Sequence, residues 1–387
     1  MTGPLEGIRV LDFTKMMAGP LCAMLLGDLG ADVIKIEPPE GDAIRRTGET
    51  FLGGETEYFL SLNRNKRSVV VDLKTGAGRE ATRGLAAGAD VVLENFRPGS
   101  AERLGVDYET LRALNPRLVY CSISGFGREG ADRARPALDP VIQAMSGIMQ
   151  LTGSAETGPL KTGFPFADLV TPLLATIGVL AALRVSERTG RGQRVDLSML
   201  DATIFGMIAR EGFFFATGAT PGRLGNEHYQ LAPYNTYETA DGRHLMVIAH
   251  TEKFWRALVT ALDDRELGTD ARFLTNADRV RNRVALNAWL ASAFRAAPLD
   301  EWTRRLAAAG VLFAPVREFP EVFADPRVRR EMLVTLDHPT AGRITVLANP
   351  LRLSETPATV RRRPPLLGEH TAEVLAPKSG AGAGATG

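Results

Sequence analysis

Residues 158–202 read GPLKTGFPFADLVTPLLATIGVLAALRVSERTGRGQRVDLSMLDA. A single carboxylate, Asp168, stands ahead of a long apolar helix, in a segment otherwise made of Gly, Phe, Pro and Ala. Thr171-Pro172 supplies a hydroxyl cap followed by a proline at the first helical position, a favoured helix start. Asp168 is then partly redundant as a cap, and two readings stand: an N-cap, and a half-buried reactive carboxylate. Behind the helix, Arg194 to Leu197 reads as a strand and Met199 to Ala216 as another helix.

Toward the N-terminus the same alternation recurs. IRVLD, the loop FTKMMAG, a helix opened by Pro20 and closed near Gly30, and DVIKIE form one unit. VVVDL, a helix from about Gly78 to Ala87, ADVVLE and LVYCSI continue it. Short apolar strands alternating with helices predict a mainly parallel sheet with right-handed crossovers. Such sheets bind ligands beyond the carboxyl ends of their strands. A dinucleotide enzyme would place G-x-G-x-x-G after the first strand, where this chain has FTKMMAGP. GFGREG at 125–130 matches that spacing, yet no clear helix follows it before Pro136, so it reads as a flexible loop.

Leu138 to Met149 reads as a short helix, and the Gly/Thr/Pro-rich TGATPGRLGNEH as a linker. A smaller domain then opens with TYETADGRHLMVIA, two strands joined across Asp241-Gly242. Helices are expected at about 251–262, 279–296 and 299–309, with VLFAPV as a closing strand. MLVTLDHPTAGRITVLANPLRL reads as a late hairpin and LLGEHTAEVLA as a last helix. The tail has too little apolar side chain to pack. The expected division is a large domain from 1–220 and 318–376, a small domain with linkers at 221–317, and a disordered tail at 377–387.

The chain is 44% hydrophobic and 24% charged with net charge +1, an ordinary soluble balance with no basic stripe for nucleic acid. Its two cysteines, Cys22 and Cys121, are too few for a disulfide framework or a Cys-rich zinc site. No signal peptide opens the chain and no apolar run is read as approaching a membrane span, so a cytoplasmic protein is expected.

The run KTGFPFADLVTPLLATIGVLAALRVSERTGRGQRVDLSMLDA resembles the nucleophile segment of the class III CoA-transferases. LEGIRVLDFTKMMAGP, LGADVIKIEPPEGD, NRNKRSVVVDLK, DVVLENFRPG, NPRLVYCSISGFG and PYNTYETADGRHLMVIA extend the resemblance, in the family's order, over most of the chain. The resemblance implies an α/β fold: a Rossmann-like large domain with a parallel sheet, a smaller α+β domain, and two open rings threaded into an interlocked homodimer. It also implies that Asp168 takes an acyl group from an acyl-CoA, becomes an aspartyl-CoA thioester, and passes CoA to an incoming carboxylic acid. Coenzyme A enters as a substrate thioester, with no metal and no permanently bound cofactor. Water would hydrolyse both intermediates, and Phe164, Phe166 and Leu169 beside Asp168 suit its exclusion.

By family position, Met17 sits in the loop whose backbone N–H groups, from Met17 to Gly19, stabilise the oxyanion. The formyl-CoA branch has glutamine there. Methionine donates no hydrogen bond, which argues for a larger, less polar acyl group than oxalate or formate; simple packing of Met16 and Met17 is the other reading. CoA contacts fall on Met16, Ala18, Leu73, Lys74, Asn95, Phe96 and Arg103, with Arg97 as an added cation. The basic residue often found after the IE of the third signature is replaced by Pro38. Asp139 is either a functional acid near the nucleophile or an N-cap for 140–149. Racemases of the same superfold carry a histidine directly before that aspartate, where this chain has Leu138; a racemase and a non-catalytic CoA-binding protein are the rival functions. A dicarboxylate acceptor would need a second cation. The candidates are Arg45, Arg46, Arg210, Arg223 and His228. The similarity leans to succinyl-CoA with a C4 to C6 dicarboxylate.

Overall fold

The computed structural model describes residues 3–376, so the tail expected at 377–387 lies outside the described residues. The described residues form two compact units: 3–148, 161–219 and 327–376 in the first, Met149–Leu160 and Thr220–Pro326 in the second. This departs from the expected boundaries at 149–160, which belong to the second unit, and at the second unit's end. Gly225 N–H donates to Gly153 O at 2.8 Å and Arg223 Nη1 to Gln150 Oε1 at 2.9 Å, tying that segment to the second unit's start.

The first unit is built on six strands: β1 (Arg9–Asp12), β2 (Asp32–Glu37), β3 (Lys66–Val70), β4 (Val91–Glu94), β5 (Val119–Ser124) and β6 (Arg194–Ser198). They lie in the order β6-β5-β4-β1-β2-β3 with every pairing parallel. Both faces are covered, so side chains alternate between two cores. Val10, Val33, Val91 and Cys121 join one cluster, and Leu11, Ile34, Val92 and Tyr120 the other. The strand order reverses between β1 and β4, which puts the ligand crevice of an open α/β sheet beyond Asp12 and Glu94.

Two helices on the first face matter for the site: α1 (Ala18–Asp28), between β1 and β2, and α2 (Phe166–Thr189), between β5 and β6. Each links parallel neighbours, so each runs back against the strands and begins at the sheet's carboxyl edge. Cys22, Ala23 and Leu26 of α1 share a core with Ala167, Ala175, Val179 and Ala182 of α2, and Thr176 Oγ1 meets Cys22 Sγ at 3.5 Å.

The sequence reading of α2 needs two corrections. The helix begins at Phe166, so Asp168 lies within its first turn, and Pro172 is inside it rather than at its first position. Thr171 Oγ1 bonds back to Ala167 O at 2.7 Å and caps nothing. With residues 166–171 included the helix has 24 residues and is long and apolar enough, by length and composition, to cross a membrane, against the expectation that no run comes near that length. Its small residues are nonetheless packed on α1 within the unit's core. A helix read as continuous over 199–216 is also broken, into Met199–Phe205 and Glu211–Thr217, with Ala209 between them at φ 78°.

The second unit has a three-stranded antiparallel sheet of Tyr234–Glu238, His244–Ile248 and Leu312–Pro315. Helices Glu252–Leu262, Arg283–Phe294 and Leu299–Ala309 bury Trp255, Phe294 and Trp302 around it.

Candidate active site

Asp168 would ordinarily be drawn into capping its own helix. Another helix does that instead. Asp139 opens helix Asp139–Ser146 without capping it. Its Oδ1 accepts the N–H of Ala167 at 2.8 Å and of Asp168 at 3.3 Å, so it satisfies orphan donors at the start of α2. Its Oδ2 accepts from Gln143 Nε2 at 2.6 Å, and Gln143 Oε1 in turn accepts from Thr162 N at 2.9 Å. Thr162 Oγ1 closes the chain on Phe164 O at 2.6 Å. Every partner of Asp139 here is a donor, which suits an ionised, acceptor-only carboxylate. Gln143, fully buried, thus pins the loop leading to Asp168 to the residue that caps its helix. Pro172 has no N–H to offer the Asp168 carbonyl four residues earlier.

Asp168 is half-buried, and its carboxyl is pushed up to about 6, by burial first and by the negative charge of Asp139 second. Near neutral pH it remains mostly ionised but poorly solvated, a good state for a carboxylate nucleophile. Phe164 and Phe166 pair with ring centroids 6.2 Å apart beside it, although Phe164 and Leu169 remain exposed.

At the start of α1, Leu21 N–H makes the first intrahelical bond, to Met17 O at 2.9 Å. The N–H groups of Ala18 and Gly19 precede it and belong to the helix's orphan set. Met17 packs with Leu21 against Ile44, Phe59 and Leu62, so its side chain takes the packing alternative. Met16 is exposed, in the left-handed region at φ 66°. Gly19 is required because a Cβ there would stand 2.2 Å from Thr14 Cβ.

The other candidates follow the carboxyl ends of β3 and β4. Leu73 is partly buried against the core and Lys74 is exposed. Phe96 lies 6.4 Å from Phe13, centroid to centroid, and Arg97 and Arg103 are exposed. Asn95 directs its amide at the main chain of Lys15, accepting from its N–H and donating to its carbonyl, both at 2.9 Å.

Arg45 is corrected outright as an acceptor-binding cation. It is buried, bidentate on Glu37 with both bonds at 2.8 Å, and bonded to Glu55 at 2.5 Å. Burial opposes ionisation of Glu37, but the Arg45 guanidinium brings it down to about 2. Arg46 donates to Glu40 O; Arg223 and His228 belong to the second unit, His228 stacked on Tyr229 at 4.5 Å. Arg210 stands at the N-cap of helix Glu211–Thr217.

Sequence reasoning passed over Gln143 and a buried tetrad at the carboxyl edge of β1 and β2. Lys66 Nζ meets Asp12 Oδ2 at 3.0 Å and Lys35 Nζ meets Asp42 Oδ2 at 2.9 Å, all four residues buried. Burial lowers Lys66 to about 8 even with Asp12 beside it. The signal was present in DVIKIE: a lysine between isoleucines of a strand buried on both faces must have an anionic partner.

The family model for CoA-transferase family III matches residues 5–371. The chain belongs to CoA-transferase family III. It is 40% identical to a succinyl-CoA:mesaconate CoA-transferase of Haloarcula hispanica, covering 99% of this chain and 98% of that one. It is 36% identical to the human succinyl-CoA:glutarate CoA-transferase over 96% of this chain and 85% of that one. A crystal structure of a CAIB/BAIF family protein from Brucella suis superposes with a TM-score of 0.89 at 39% identity, over 97% of this chain and 99% of that one. This CoA-transferase is therefore an enzyme acting on CoA thioesters, and its parallel-sheet α/β architecture is that of its relatives.

Proposed function

We propose that this CoA-transferase moves CoA from succinyl-CoA, or a similar acyl-CoA, to a C4 to C6 dicarboxylic acid, with Asp168 as the nucleophile. The observation that carries the reading is the cap supplied by Asp139, which leaves the Asp168 carboxylate available while raising its basicity. Asp168 attacks the thioester carbonyl, the C–S bond breaks, and CoA leaves as the thiolate with a mixed anhydride behind it. The thiolate attacks the Asp168 acyl carbon, releasing the donor acid as its carboxylate and forming the aspartyl-CoA thioester. The acceptor carboxylate attacks that thioester and expels the thiolate again. Thiolate attack on the acceptor's acyl carbon then yields the new acyl-CoA and regenerates Asp168.

The N–H groups of Ala18 and Gly19, following Met17, are the donors for the developing oxyanion. Met16, Leu73, Lys74, Phe96, Arg97 and Arg103 are the remaining CoA contacts in this reading. The dicarboxylate preference is supported by the mesaconate and glutarate named for the relatives. A cytoplasmic homodimer completes it. Supporting the dimer, the first unit leaves four large apolar side chains, Ile177, Phe205, Ile208 and Phe215, exposed at 62%, 60%, 64% and 78%, which a partner subunit would cover.

A panel of carboxylic acids incubated with succinyl-CoA, read by mass for new thioesters, tests the substrate class. Transfer to C4–C6 dicarboxylates is expected, and transfer confined to monocarboxylates would contradict it. Deuterium entering a 2-methylacyl-CoA without any acceptor acid would instead indicate a racemase. Leu138, where that chemistry needs a base, has none to offer.

A further inference from the structure

Residues 13–16, which lead from β1 into α1, are each held through the backbone by a group outside the turn. Phe13 N–H extends the sheet ladder to Leu93 O at 2.9 Å. Thr14 N–H bonds Asp12 Oδ1 at 2.9 Å, and Thr14 O accepts from Lys35 Nζ at 2.8 Å. Lys15 is gripped at both main-chain polar atoms by the Asn95 amide. Met16 N–H points to Asp42 Oδ1 at 3.4 Å, while Asp42 Oδ2 is paired with Lys35. Lys66 Nζ reaches past Asp12 to Pro20 O, in the first turn of α1, at 2.9 Å.

A loop with a non-glycine residue at φ 66° keeps that conformation only where its surroundings impose it. Here a buried neutral tetrad imposes it from beneath and one amide imposes it across the crevice between β1 and β4. The Asn95 clamp reads only main-chain atoms, so it fixes position whatever side chain stands at 15. We propose that Asn95 is a positioning residue of the transfer reaction: with the Lys35–Asp42 pair as its anchor, it sets the 13–16 loop so that the first N–H groups of α1 meet the thioester oxygen. This rests on the role given above to the start of α1. It differs from the expectation carried by the family resemblance, in which Asn95 serves as a contact to CoA itself.

The two roles separate kinetically. In Asn95→Ala, loss of positioning lowers kcat at saturating succinyl-CoA by about 10–100-fold with KM for the thioester little changed, since small misplacements cost rate and not ground-state binding. Hydroxylamine capture at Asp168 slows in step, and the melting temperature stays near that of the wild type because Asn95 is only partly buried. Lys15→Ala, which leaves the clamped main chain intact, keeps kcat within about twofold. An Asn95→Ala enzyme with unchanged kcat and raised KM overturns the proposal, as does an equal loss of kcat in Lys15→Ala. Asp168→Ala in parallel keeps the two levels apart. If it retains transfer, the nucleophile reading has failed; if it is inactive while Asn95→Ala keeps kcat, only the positioning role has.

Discussion

Asp139 and Ala167 lie on different helices, and the 2.8 Å bond from the Ala167 N–H to Asp139 Oδ1 makes one helix's first residue the cap of the other. A capping carboxylate is worth about 1 kcal/mol, and more when its removal strands a buried partner. Asp139→Ala leaves Gln143 without its acceptor, so the variant should lose at least about 1 kcal/mol in urea denaturation. Turnover should fall as well, because the loop and first turn that present Asp168 are no longer fixed. A variant with wild-type stability and rate would show that the bond is incidental.

Asp139 and Asp168 together set the pH dependence. A nucleophilic carboxylate must be ionised, so the rate rises with pH through the carboxyl's own titration, and burial and Asp139 place that rise near pH 6. Asp139→Asn removes the neighbouring negative charge while leaving a side-chain oxygen. The acid limb of kcat/KM for the donor should then move to lower pH. An upward shift would mean that Asp139 does not act on Asp168 through its charge.

Arg45 is structural. Removing one partner from a buried ion pair leaves an uncompensated charge and costs about 3–5 kcal/mol. Arg45→Ala should therefore unfold at markedly lower denaturant, through Glu37 and Glu55, with no selective loss of any one acceptor acid. A selective loss of dicarboxylate acceptors in a stable variant would restore it as a substrate-binding cation.

Ile177 and Phe205 are exposed apolar residues of the first unit. Placing a charge at such a position costs interface burial but little in the monomer. Ile177→Asp and Phe205→Asp should elute as monomers in size-exclusion chromatography, against a wild-type dimer. A monomeric wild type would remove the interlocked dimer from the account.

The parallel sheet was legible because buried strands such as RVLD and VVLE are short, apolar and separated by helical spans. The start of α2 was not. Thr171-Pro172 imitates a helix start, and only the tertiary bond from Asp139 shows the extra turn that places Asp168 inside the helix. Asp139 was singled out, as a functional acid or as the cap of its own helix, but not as the cap of α2, since local sequence cannot reveal a cap supplied from 28 residues away. Gln143 and Lys35 were missed for the opposite reason. Each lies in an apolar pattern that was read for its period and not for the polar residue interrupting it.

The account is tested most directly by peptide mass analysis of the enzyme incubated with succinyl-CoA and hydroxylamine. It predicts a hydroxamate at Asp168 that appears only with the acyl-CoA, and an Asp168→Ala enzyme that folds normally but transfers no CoA. An unmodified Asp168 in an active enzyme, or near wild-type transfer by Asp168→Ala, would contradict it.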